Sequence, residues 1–80
     1  TDYVRQRYEK ALAEFTIVVD KYPKSRKIPD ALLKIGYCNY ELKRYAAARK
    51  SLQAVVASYP ETTAARLAGQ RREAMRSEGT

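Results

Sequence analysis

DALLKIGYCNYELKRYAAARKSLQAVVASYP, residues 30–60, decides how the rest of this 80-residue chain is read. Two apolar patterns of helical spacing lie within it, separated by the polar pair Lys43-Arg44. In the first, Leu32, Ile35, Gly36, Asn39 and Leu42 form one stripe, and Leu33, Tyr37 and Tyr40 form a second on the adjoining flank. In the second pattern Ala48, Leu52, Val55 and Val56 face one way until Tyr59-Pro60 stops the helix. Gly36 and Ala48 are small where two helices would cross closely, while Leu32, Ile35, Leu52 and Val55 supply bulk beside them. The stretch predicts one helix-turn-helix unit.

A copy of its second half lies 37 residues upstream. That offset pairs Tyr8 with Tyr45, Ala11 with Ala48, Phe15 with Leu52, Val18 with Val55, Val19 with Val56, Tyr22 with Tyr59 and Pro23 with Pro60. Self-similarity at a fixed period of this size marks a stack of repeated units. Residues 1–23 therefore read as the end of a preceding repeat, with one continuous helix over 2–21, because neither Gln6 nor Arg7 breaks a helix. Residues 29–60 read as one full repeat with helices over 29–42 and 45–58, Pro29 opening the first and Asp30 beside its positive end. Residues 62–78 read as a capping helix over about 63–77, started by Thr62 or Thr63 and ended near Gly79. Its apolar side is Ala64, Ala65, Leu67, Ala68 and Met75, and Arg66, Arg71, Arg72 and Arg76 make most of the rest basic. The expectation is a single all-α domain over residues 1–80, with no strand.

The spacing Leu32-x2-Ile35-Gly36-x2-Asn39, then Ala48-x3-Leu52, then Pro60, resembles the tetratricopeptide repeat, with Leu32 in place of an aromatic residue and Asn39 in place of a tyrosine. The resemblance implies a helix-turn-helix solenoid fragment with right-handed superhelical stacking, whose ligands lie on the concave surface made by the first helices. Mapped through Gly36, that surface is Asp30, Leu33, Tyr37 and Tyr40, with Lys34 and Glu41 on its border. Three of these form the second stripe, and exposed tyrosines with leucine suit a protein interface. The competing reading is that the last helix covers this flank and the tyrosines are core. The family places Gly-Asp before the turn tyrosine, whereas this chain has Lys43-Arg44 before Tyr45, so the turn lacks a residue that adopts a left-handed conformation cheaply.

Composition narrows the function. Sixteen Lys and Arg against nine Asp and Glu give a net charge of +7, which favours acidic partners, yet most of the seven tyrosines fall at or beside repeat positions and leave charge alone to argue for nucleic acid. No nucleic-acid partner is expected. The chain has no histidine, one cysteine (Cys38), no glycine-rich phosphate loop and scattered acidic residues, so neither catalysis, metal nor cofactor is expected. Cys38 reads as a semi-buried thiol between the core stripe and the polar face. No apolar run approaches the roughly 18 residues of a membrane span, and the Arg-rich last helix lacks a large apolar face for surface binding. The first helix lacks a companion over its Ala11 and Phe15 side, which predicts self-association.

KYPKS at 21–25 and KIPDALLKIGYCNYELKRYAAARKSLQAVVASYPETTAARLA at 27–68 resemble the C-terminal repeats of the Tol-Pal system periplasmic tetratricopeptide proteins, the YbgF or CpoB family. Outer-membrane assembly lipoproteins share the Tyr-Pro-x-Ser punctuation. The first resemblance implies a periplasmic protein whose parent carries a signal peptide and a trimerising coiled coil. It also implies binding to the envelope-spanning protein TolA, coupling septal peptidoglycan synthesis to outer-membrane constriction in cell division. The second implies a module of an assembly lipoprotein.

Overall fold

Side chains cap the starts of two of the four helices, and two helices end in left-handed turns. A computed structural model describes residues 2–80, and Thr1, assigned above to the preceding repeat, lies outside them. The helices are α1 (Tyr3–Lys21), α2 (Ile28–Glu41), α3 (Tyr45–Ser58) and α4 (Thr63–Glu78), with no strand among the described residues. Asp2 caps α1 by accepting a hydrogen bond from the Arg5 amide at 2.9 Å, and Thr62 caps α4 by accepting from the Ala65 amide at 3.1 Å. α1 runs unbroken through Gln6 and Arg7, as expected, and stops at Tyr22 before Pro23. α2 starts one residue earlier than the sequence reading placed it, so Pro29 follows Ile28 inside the first turn, where a missing N–H costs nothing.

The turn between α2 and α3 is left-handed without glycine. Lys43 has φ 63°, its amide donates to the Tyr40 carbonyl at 3.0 Å, and the Arg44 amide donates to the Asn39 carbonyl at 2.8 Å. These are the two bonds of a Schellman motif, and they offset part of the strain that a side chain brings to this conformation. α4 ends the same way with the favoured residue, Gly79 at φ 81°, and the Thr80 amide closes onto the Met75 carbonyl at 2.8 Å.

Helix packing follows chain order. α1 packs on α2, α2 on α3, and α4 on both α3 and α2, while α1 touches neither α3 nor α4. The α2–α3 crossing is set by Gly36, where a Cβ would lie 2.6 Å from Leu52 Cδ2 and 2.9 Å from its Cγ. Leu52, Val55, Ala48, Ala68 and Met75 are fully buried, and with Leu33, Ala64 and Ala65 they make the main core. The alanines of α4 let it lie close against α2 and α3, so a weakly amphipathic helix still closes the core. A second buried row, namely Ile28, Ala31, Ile35 and Cys38 on α2 with Leu42 at its C-cap, lies outside that cluster on the side left for α1.

α2 is thus buried on three sides, which corrects two expectations. Leu33 is 3% exposed instead of lining an open stripe, because α4 lies over that flank. Cys38 is 6% exposed instead of half-buried, since it falls in register with Ala31, Ile35 and Leu42 on the second row. Burial first, and the Glu41 carboxylate second, raise its thiol above the ordinary value, so the thiolate is disfavoured. Asn39 stands at the aromatic position of the repeat pattern and is buried, with its side-chain amide donating to the Ile35 carbonyl at 3.1 Å.

Candidate partner-binding surface

With three faces of α2 covered, only one strip remains. Its exposed residues are Asp30, Lys34 and Glu41, and the half-buried ones are Leu32, Tyr37 and Tyr40. Steps of four and seven residues keep Asp30, Lys34 and Glu41 on one line, with Tyr37 close beside it. Five of the six candidate site residues therefore border the open strip, and Leu33 alone is hidden beneath α4.

The strip is not one groove. Toward α1, Asp30 and Lys34 pair at 3.3 Å, with both side chains about half exposed. The Lys34 ammonium also sits 5.6 Å from the Phe15 ring centre. There they flank a cleft of about 310 Å³, completed by Phe15, Val18, Lys27 and Ala31. Glu41 lies at the far end in a separate cleft of about 220 Å³ with Asp2, Val4, Arg5, Tyr8 and Lys43. Toward α4, the Arg71 guanidinium stacks 4.6 Å from the Tyr37 ring centre and 5.1 Å from that of Tyr40. Tyr40 packs edge-on against Tyr45 at 5.6 Å, and its hydroxyl donates to Glu78 Oε1 at 2.5 Å.

That hydrogen bond, followed by burial and the charge of Glu78, raises the Tyr40 hydroxyl above its ordinary pKa, while Arg71 pulls the other way. The tyrosines thus tie α2 to α4, and each presents an edge to the strip instead of a bare face. Arg71 and Glu78 complete this arrangement, and the sequence reading assigned neither a place in it. The signal for Arg71 was available: Ala64, Ala68, Arg71 and Met75 share one helical stripe, so an arginine interrupts an otherwise buried line. At the α1 end, the Arg44–Glu9 ion pair joins the α2–α3 turn to α1 across the surface, where such pairs contribute little.

No group of three or more His, Cys, Asp or Glu residues is placed to hold a metal ion among the described residues. No helix among them is long and apolar enough to cross a membrane. Stacked helix pairs with a small-residue crossing, an exposed strip on the central helix and clefts on either side define a helical-repeat scaffold that presents a surface to another molecule. The tetratricopeptide repeat profile matches residues 3–25 and 30–62, more than half of the chain, and the chain belongs to that family. The first match falls on α1 and the second on the α2–α3 pair. No curated protein matches the chain. Repeats of this family are typically non-catalytic and serve as protein–protein interaction modules.

Proposed function

We propose that this chain is a periplasmic interaction module of the cell envelope that binds TolA and helps coordinate septal peptidoglycan synthesis with outer-membrane constriction. The observation that carries the reading is the strip on α2: Asp30, Lys34 and Glu41 offer charge of both signs, and Tyr37 and Tyr40 offer aromatic edges beside them. Such a surface suits a protein segment, with the aromatic edge as anchor and the rim charges giving orientation. The resemblance of residues 21–25 and 27–68 to the Tol-Pal periplasmic family supports TolA as the partner.

The test is a titration of the protein with labelled TolA C-terminal domain and, separately, with duplex and single-stranded nucleic acid across a salt series. Tyr37→Ala should weaken TolA binding by about 1–2 kcal/mol. Because Tyr37 is half-buried, Asp30→Ala with Glu41→Ala on the exposed strip serves as a second variant that spares the core. TolA binding that all these substitutions leave untouched would move the site off α2. Absence of TolA binding, with nucleic-acid affinity falling steeply with salt, would overturn the proposal.

A further inference from the structure

Away from the α2 strip, three arginines line one cleft. Arg49 of α3 and Arg72 and Arg76 of α4 line a cavity of about 320 Å³, closed at its end by Gly79 and Thr80. Arg49 is held in place by donating to the Thr80 carbonyl oxygen. Neither Arg49 nor Arg72 pairs with an Asp or Glu side chain among the described residues. Arg76 has only Glu73 at 4.0 Å, with both side chains largely in solvent, which neutralises little.

Arg72 and Arg76 are also four residues apart on one helix, a like-charge spacing that is unfavourable by itself. Gathering a third arginine beside them raises the local potential further. A bound anion would relieve that repulsion and could be gripped by several N–H groups at once, because each guanidinium presents a planar fork matched to an oxyanion.

We infer that this cleft binds the side-chain carboxylates of an acidic peptide segment. Its volume lies at the lower end of ligand pockets, room for one or two carboxylate side chains rather than a long phosphate track. None of its lining residues is aromatic, so it lacks the stacking platform that single-stranded nucleic acid uses. Tyr37 and Tyr40 are engaged at the α2–α4 seam, and Tyr45 of α3 packs against Tyr40. The site is separate from the TolA surface proposed above and does not depend on it.

The test uses a fluorescent oligoglutamate peptide, with inorganic phosphate and a single-stranded oligonucleotide as competing ligands, at low and physiological salt. Arg49→Ala and Arg72→Ala should each weaken peptide binding by about tenfold, the loss of one charged hydrogen-bonded contact. Arg49→Lys should lose part of the affinity, since it keeps the charge and loses the fork. Arg66→Ala, an exposed arginine of α4 outside the cleft, should change affinity by less than about twofold. Phosphate should compete only weakly. An equal loss in Arg66→Ala would show a diffuse basic surface and overturn the inference. So would a lack of saturable peptide binding, or an oligonucleotide that binds more tightly and responds to the same substitutions. Circular dichroism melts of each variant separate loss of binding from loss of fold.

Discussion

The Gly36–Leu52 crossing allows a double-mutant test of what holds the repeat together. Replacing Gly36 by alanine has two opposed effects. A helix-interior glycine is about 1 kcal/mol worse than alanine, so the substitution gains that amount. The new Cβ, however, would sit 2.6 Å from Leu52 Cδ2 and 2.9 Å from Cγ, and Leu52 is fully buried with little room to swing aside. Overpacking of this kind costs about 1–3 kcal/mol, so Gly36→Ala alone should destabilise by roughly 0–2 kcal/mol. Leu52→Ala alone should cost about 2–5 kcal/mol through the cavity it opens. With Leu52 truncated, both clashing atoms are gone, and the nearest remaining contact is the Ala48 carbonyl oxygen at an ordinary 3.6 Å. In that background Gly36→Ala should stabilise by about 1 kcal/mol, a coupling of about 1–3 kcal/mol between the sites. Urea unfolding of the four proteins, followed by far-ultraviolet circular dichroism, measures it. Additive effects, or stabilisation by Gly36→Ala in the otherwise unaltered chain, would show that Leu52 does not limit the space at Gly36.

Lys43→Gly should stabilise the protein by about 1 kcal/mol by removing the side chain from a left-handed turn, and an unchanged urea midpoint would contradict this. For Tyr40, the folded pKa lies above the unfolded one, so the Tyr40–Glu78 contact stabilises below the unfolded value of about 10 and is lost as pH rises through the folded value. Glu78→Gln should lower the ionisation midpoint of the Tyr40 ring in an alkaline nuclear magnetic resonance titration, and no shift would remove the contact. α1 has no buried residue, whereas its offset counterpart α3 buries Ala48, Leu52 and Val55, so the open side of Phe15 and Val18 should drive association at high concentration. Sedimentation should show a reversible dimer that Phe15→Glu abolishes, and a strict monomer into the millimolar range would count against it.

The helix ends were legible because their signals are local: a Thr cap, a Pro after Tyr, a Gly in the left-handed position. The structure places every boundary within about one residue of that reading, as such signals allow. The Gly36 crossing was legible for a similar reason, since a glycine opposite a leucine at repeat spacing has few other uses. What the pattern could not assign was which neighbour covers which stripe of α2. Periodicity shows that Leu33, Tyr37 and Tyr40 share a flank, but two apolar stripes on one helix are compatible with a groove or with a third partner. The covering helix, α4, is built on Ala64, Ala65 and Ala68, whose small side chains contribute little amphipathic signal yet permit close approach. Lys43 hid its role because a lysine in a left-handed turn carries no composition cue. Asp30, Lys34 and Glu41 are exposed on the face of α2 that no neighbour takes, where charge on a well-packed helix belongs.

Because α1 rests on α2 alone, the chain behaves as a row of units joined by nearest-neighbour interfaces, and its opening should proceed from one end. Detaching α1 breaks a single interface and exposes the row that holds Cys38, while the α2–α3–α4 core keeps its own fully buried residues. Amide protons of α1 should exchange with solvent through this partial opening, and those near Leu52 and Val55 only when the whole core comes apart. The thiol of Cys38 then becomes a reporter of the first step, shielded while α1 is seated and reactive in the interval before it returns.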